Sequence, residues 1–240
     1  MSSVGSIAVI GAHAFDAEIM AGGVIARYGA AGAHVDIVHM TLGEQGHRSL
    51  SAQEYAAQKR KEAEQAAKIL GASPSFMPYK DTDIPCTLDS KLAMCDIIRE
   101  IRPEVIITHW HGSWHKDHVA AYNNVMEGLF YASLPTFERS KPAHAVKKVL
   151  FAHNWEDHHD FKPTVFVDVS DVYEKWMAAV ECYELSHPGF ANFPYNDYYS
   201  AVARANGCLN GVQYAQGFME LSPQDLIGLG QFAPMTGSVL

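Results

Sequence analysis

The sequence is poor in several things that would otherwise place it. Only four cysteines occur in 240 residues, Cys86, Cys95, Cys182 and Cys208, and no two form a CxxC pair. That argues against a disulfide framework and against a thiolate metal centre; reduced thiols in a cytoplasmic protein are the expectation. Basic residues are outnumbered, 18 Lys and Arg against 27 Asp and Glu, for a formal net charge of -9. A broad cationic surface is excluded and with it non-specific nucleic-acid binding, although a local anion pocket is not. No apolar run is long enough to span a bilayer, so no membrane partner is expected. Met1 to Gly5 lack a basic n-region, and the apolar stretch that follows reads as a strand rather than a signal peptide. Gly11-Ala12-His13-Ala14 is not the G-x-G-x-x-G loop of a dinucleotide site.

What is present is an apolar content of 48%, enough for a full core, and a single domain over residues 1–240 is expected. Short β-branched runs alternate with helical patterns. Ile7 to Ile10, Val35 to Met40, a stretch near Phe76-Met77, Val105 to Thr108, Val149 to Phe151 and Val165 to Val167 read as strands. Helices are expected over about Ala17–Ala31, Ala52–Leu70, Asp89–Ile101, Asp117–Tyr131 and Val172–Leu185. Gly71 ends the second helix and Pro103 follows the third. Such alternation gives an α/β fold, a Rossmann-like, mostly parallel sheet with helices on both faces. Ligands then bind at the carboxyl ends of the strands where strand order reverses.

Two segments fall at that edge. His13 and Asp16 follow the first strand; His109, His111, His115, Asp117 and His118 follow the fourth. Two imidazoles and a carboxylate form the ligand set of an open catalytic zinc site. Asp16 as a helix N-cap and His13 as a packed core residue are the alternative for the first pair. His115 and His118, three apart at a helix start, can face one side, and Asp117 can orient an imidazole from behind. His109 and His111 alternate on an extended segment and should face opposite ways. Trp110 and Trp114 are candidates either for stacking on a substrate ring or for the core. His153 to His159 form either the far wall of the pocket or a solvated loop, and Tyr195, Tyr198 and Tyr199 either an aromatic lid or packed helix positions. Phe15 stands where a general base would be useful, and a phenyl ring accepts no proton.

These segments resemble the LmbE-like (PIG-L) zinc-dependent deacetylases, whose first motif, A-H-P-D-D-x-E or A-H-A-D-D-x-E, is matched by Ala12-His13-Ala14-Phe15-Asp16-Ala17-Glu18 and whose H-P-D-H is matched by His115-Lys116-Asp117-His118. Gly22-Gly23, Thr41-Leu42-Gly43-Glu44, Lys61-Glu62-Ala63 to Leu70-Gly71, and Tyr214 to Phe218 fit as well, so the similarity runs from the first strand to about Met219. The resemblance implies zinc on His13, Asp16 and His118, with His115 stabilising an oxyanion and Asp117 orienting it. It further implies removal of an N-acetyl group from a small-molecule substrate such as an amino sugar, and assembly into a homo-oligomer. The chain departs from the pattern at Phe15, in place of the first Asp, and at Gly112-Ser113-Trp114. Glu44, in the loop after the second strand, is the residue expected to replace the missing acid or base. A hydratase of the same superfamily resembles the chain in lacking an acid at Phe15, which makes addition of water to an unsaturated oxo acid the alternative activity. A metal-binding protein with little catalysis is the third.

Overall fold

The computed structural model describes residues 5–157 and 159–232. In chain order its elements are β1 (Ser6–His13), α1 (Asp16–Ala30), β2 (His34–Thr41), α2 (Ala52–Leu70), β3 (Ser73–Phe76), α3 (Leu88–Ile101), β4 (Val105–Thr108), α4 (Lys116–Ser133), β5 (Lys148–Ala152), β6 (Val165–Asp168), α5 (Tyr173–Val180), α6 (Tyr195–Asn210), β7 (Ala215–Glu220) and α7 (Pro223–Gly230). The sheet order is β3-β2-β1-β4-β5-β7-β6. The first five of these strands are parallel, and β7 runs antiparallel to both β5 and β6. The mostly parallel α/β sheet expected from sequence is therefore the fold, with strand order reversing between β1 and β4.

Period-two alternation in β1 divides the interior. Ile7 and Val9 face one core layer with α1, α2, α5 and α6, whereas Ala8, Ile10 and Ala12 face the layer built with α3 and α4. Two capping boxes, Ser51 with Glu54 and Thr87 with Ser90, start α2 and α3, and left-handed Gly71 closes α2. Gly22-Gly23 is explained by close approach. A Cβ on Gly22 would lie 2.4 Å from the Trp176 ring, whose Nε1 donates to the Glu18 carbonyl at 2.8 Å.

Below the α4 end, buried Arg99 donates all five of its N–H groups to the carbonyls of Tyr131, Ala132, Leu134, Phe137 and Lys141. One cation thus satisfies a helix C-terminus and the loop after it, where unpaired carbonyls would each cost about 1–3 kcal/mol.

Five elements differ from the sequence reading. The helix expected over Val172–Leu185 ends at Val180, and a 3-10 turn at Glu184–Ser186 follows, because the chain turns there to bury Tyr183 against Phe15. The third strand lies at Ser73–Phe76 rather than Phe76-Met77. Neither β7 nor α7 is expected from the sequence, and α6 only as the helix alternative for Tyr195, Tyr198 and Tyr199. All four cysteines are free, and no helix among the described residues is long and apolar enough to cross a membrane.

Candidate active site

The carboxyl ends of β1 and β4 deliver the two segments to one cavity of about 150 Å³. His13 ends β1. Two residues later Phe15 takes φ 105° and ψ -36°, a conformation that costs a bulky residue about 1–3 kcal/mol and persists only when its surroundings impose it. This sharp turn brings Asp16 back over the strand end, where its Oδ2 accepts the His13 backbone N–H at 2.8 Å. Phe15, not Asp16, is the N-cap of α1, so the capping alternative for Asp16 does not hold. On the other segment His115 caps α4, its Nδ1 accepting the Asp117 N–H at 3.2 Å.

His13, Asp16 and His118 converge. Asp16 Oδ2 lies 3.2 Å from His13 Nδ1 and 3.6 Å from His118 Nε2, and one ligand atom from each residue lies within 4.8 Å of the others. The outward nitrogens are backed by carboxylates. His13 Nε2 is 3.3 Å from both Asp117 Oδ2 and Asp81 Oδ1, and His118 Nδ1 is 3.0 Å from Glu156 Oε2. Acids behind each imidazole fix ring orientation and leave the inner nitrogens as electron-pair donors, an arrangement that suits a divalent metal. Electrostatics agree. Burial alone would lower the His13 pKa, but Asp16, Asp117 and Asp81 outweigh it and hold it well above the ordinary value. Burial opposes ionisation of Asp16 too, yet His13, His118 and His109 bring its pKa well below the usual carboxylate range. The cluster therefore favours a positive charge at its centre, whether a proton or a metal ion.

His115 stands at the cavity with its ring 4.5 Å from that of His118 and 4.9 Å from that of His13. Burial and then the neighbouring imidazoles His118 and His13 lower its pKa. With Nδ1 accepting a backbone N–H, the neutral ring carries its proton on Nε2 and is a donor there. Asp117 does not orient His115 as the resemblance implied; its carboxylate sits on His13 Nε2 and on the Thr82 N–H at 2.7 Å.

Glu44 is not among the cavity's lining residues. Its Oε1 accepts the Asp81 N–H at 3.1 Å, while Asp81 Oδ2 accepts the Gln45 N–H at 2.9 Å, so the carboxylate that reaches the cavity from this side is that of Asp81. Phe15 does line the cavity, packed edge-on against Tyr183 and Tyr195 at 5.2 Å.

His109 and His111 face opposite ways as expected. His109 is fully buried, stacked on His118 at 4.1 Å and accepting the Ala12 N–H, whereas His111 is exposed. Trp110 packs on Phe151, and Trp114 is 60% exposed beside His115. The wall over 153–159 includes Asn154, Trp155 and Glu156; His158 lies outside the described residues. Tyr195 and Tyr199 line the cavity, and Tyr198 bonds His153 at 2.9 Å. Burial, then Glu156 and Asp16, push the Tyr195 phenol up to about 12.

The sequence reading missed Asp81 and Lys59. For Asp81 the signal was weak, a polar turn after the third strand at the same sheet edge. For Lys59 it was plain in retrospect. Lys59 occupies the buried stripe Tyr55, Ala63, Ala66, Ala67 and Leu70 of α2, where a charge is out of place.

Residues 8–129 match the model of the PIG-L family, described as GlcNAc-PI de-N-acetylase. The chain belongs to this family. Among its relatives, a diacetylchitobiose deacetylase of Thermococcus kodakarensis is 28% identical over 229 residues, 90% of this chain and 83% of that one. A 4-oxalmesaconate hydratase of Pseudomonas putida is 27% identical over 189 residues, 74% and 72% of the two chains. The crystal structure of an N,N'-diacetylchitobiose deacetylase from Pyrococcus horikoshii with an inhibitor superimposes with a TM-score of 0.81 at 25% identity, covering 94% and 86%. The relatives of this chain thus include both deacetylases and a hydratase.

Proposed function

We propose that the chain is a zinc-dependent hydrolase of the N-deacetylase type, acting on an amide of a small polar, sugar-like substrate. The observation that carries this reading is the convergence of His13 Nδ1, Asp16 Oδ2 and His118 Nε2 with carboxylates behind both rings. Bound there, zinc would supply Lewis acidity and a water with a pKa near about 7. The protein's own groups do the rest. His115, neutral and carrying its proton on Nε2, donates to the carbonyl oxygen as negative charge builds on it. The attacking water gives up a proton and the leaving nitrogen takes one as the C–N bond breaks; Asp81, which His13 and the backbone N–H groups of Gln45 and Thr82 hold ionised, is the carboxylate we assign to accept the first and pass it on. Glu44, expected from sequence to move the proton, acts through Asp81 by holding its backbone. The wall of Phe15, Tyr195 and Tyr199 excludes water from one side of the scissile bond.

The second reading is a hydratase on the same residues. The 4-oxalmesaconate hydratase among the relatives favours it; there the proton that the water gives up would be delivered to carbon rather than to an amine. The deciding experiment is to load the full chain with zinc and offer it N-acetyl amino sugars, chito-oligosaccharides and unsaturated oxo acids. Release of acetate and a free amine is expected. Turnover of the oxo acid without amide cleavage replaces the first reading by the second, and a metal-loaded protein that turns over neither class leaves a binding protein. Assembly into a homo-oligomer remains part of the proposal, read by light scattering.

A further inference from the structure

We propose that Lys59 is a positioning residue for the metal ligands, holding the peptide plane between His13 and Asp16 in its strained orientation. The inference rests on the metal site described above. Lys59 is 2% exposed, and its Nζ donates to the Ala14 carbonyl at 2.6 Å. Three aromatic rings surround the ammonium, Tyr183 at 5.1 Å, Phe15 at 5.7 Å and Tyr55 at 5.8 Å, an environment that tolerates a buried cation.

Rotation of one peptide plane changes ψ of the residue before it and φ of the residue after it together. Fixing the Ala14 oxygen therefore fixes φ of Phe15. Released, that plane would turn and Phe15 would return to negative φ, the region a bulky L-residue prefers. The plane before it is held separately, by the Ala14 N–H on the Thr41 carbonyl at 3.1 Å. His13 and Asp16 lie one residue either side of this pair, so the turn sets their mutual distance. Lys59 thus joins α2 to the ligand geometry without touching the metal position.

The test is metal affinity of the full chain, measured by titrating the chelator-stripped protein with Zn²⁺ against a chromophoric competitor. Lys59→Met keeps volume and removes the donor. Positioning predicts affinity weaker by about 10–100-fold, the range seen when a residue supporting metal ligands is removed. A purely electrostatic Lys59 predicts the opposite sign, because deleting a cation beside the site tightens cation binding. In a Phe15→Gly background, where positive φ carries no penalty, Lys59→Met should cost much less than in the wild type. Lys59→Gln, which keeps an N–H donor, should lie between the two and serves if the methionine variant does not fold. Unchanged or tighter binding in Lys59→Met, or an equal loss in the Phe15→Gly background, overturns the proposal. Wild-type protein that binds no zinc overturns the metal reading itself.

Discussion

The two walls of the cavity differ in almost every physical respect. One is wet and ionic: Asp81, His115 and Glu156 come from the segments after β3, β4 and β5 and His118 from the first turn of α4, with Asp117 behind them, and each polar side chain has a charged or backbone partner. The other is dry and aromatic: Phe15, Ile19, Leu185, Tyr195 and Tyr199 come from the start of α1 and the segments after α5, with Lys59 as the buried cation among them. With a phenyl ring at position 15 the dry side offers no carboxylate, and the acids that back the imidazoles, Asp81, Asp117 and Glu156, all lie on the wet side. On the proposed reading the wet wall supplies both the metal support and the proton.

The largest effect should come from the wet wall. His118→Ala removes a ligand atom and should lower zinc affinity by more than the roughly 10–100-fold expected of a supporting residue, which metal analysis after dialysis will read. Next, Phe15→Asp returns an acid to the dry wall, and Asp tolerates positive φ better than Phe. If the chain cleaves amides, kcat should rise, by up to about 10²-fold at the lower end of general acid–base contributions. A fall in kcat would show that the dry wall is needed as it is. Glu156→Gln, which leaves His118 Nδ1 facing a neutral amide, should weaken zinc binding by about 10–100-fold with little change in thermal stability.

The fourth effect is one of pH. His13 has a raised pKa in the metal-free protein, so below that pKa metal must displace its proton. Affinity should fall about tenfold per pH unit there, with one proton released per metal bound, measurable by calorimetry in buffers of different ionisation enthalpy. The sign for stability is the reverse: the metal-free fold gains from the raised His13 pKa fully below the unfolded value of about 6.5 and loses that gain as pH rises through the folded value. Smallest of all, Glu44→Gln keeps an acceptor for the Asp81 N–H and should change kcat by no more than a few-fold. A loss of about 10²-fold or more would return the proton-moving role to Glu44 itself.

Much of the wet wall could be read from sequence, and little of the dry one. His13, Asp16, His115 and His118 sit next to strands whose apolar runs are unmistakable, and parallel topology brings those strand ends together. Asp81 was hidden because nothing in Lys80-Asp81-Thr82-Asp83 distinguishes a residue aimed at an imidazole from a solvated turn. Asp117 was assigned to the wrong ring because its neighbours in sequence do not reveal which imidazole its oxygen meets in space. The dry wall depends on Tyr183, Tyr195 and Tyr199, whose placement follows from where α5 stops and α6 begins. Those boundaries are set by tertiary packing on Phe15 rather than by local pattern.

The position of β7 bears on how the molecule is made. Because β6 joins the sheet only through β7, residues 165–168 have no strand partner until residues 215–220 have been synthesised. The five parallel strands from β1 to β5 need no residue beyond 152. During synthesis the proposed metal-ligand set is complete in the chain by His118, while Tyr195 and Tyr199 of the aromatic wall arrive some eighty residues later. A nascent or C-terminally truncated chain should therefore capture metal in an open, water-filled cleft, and the closing of that cleft is the last event of folding rather than the first.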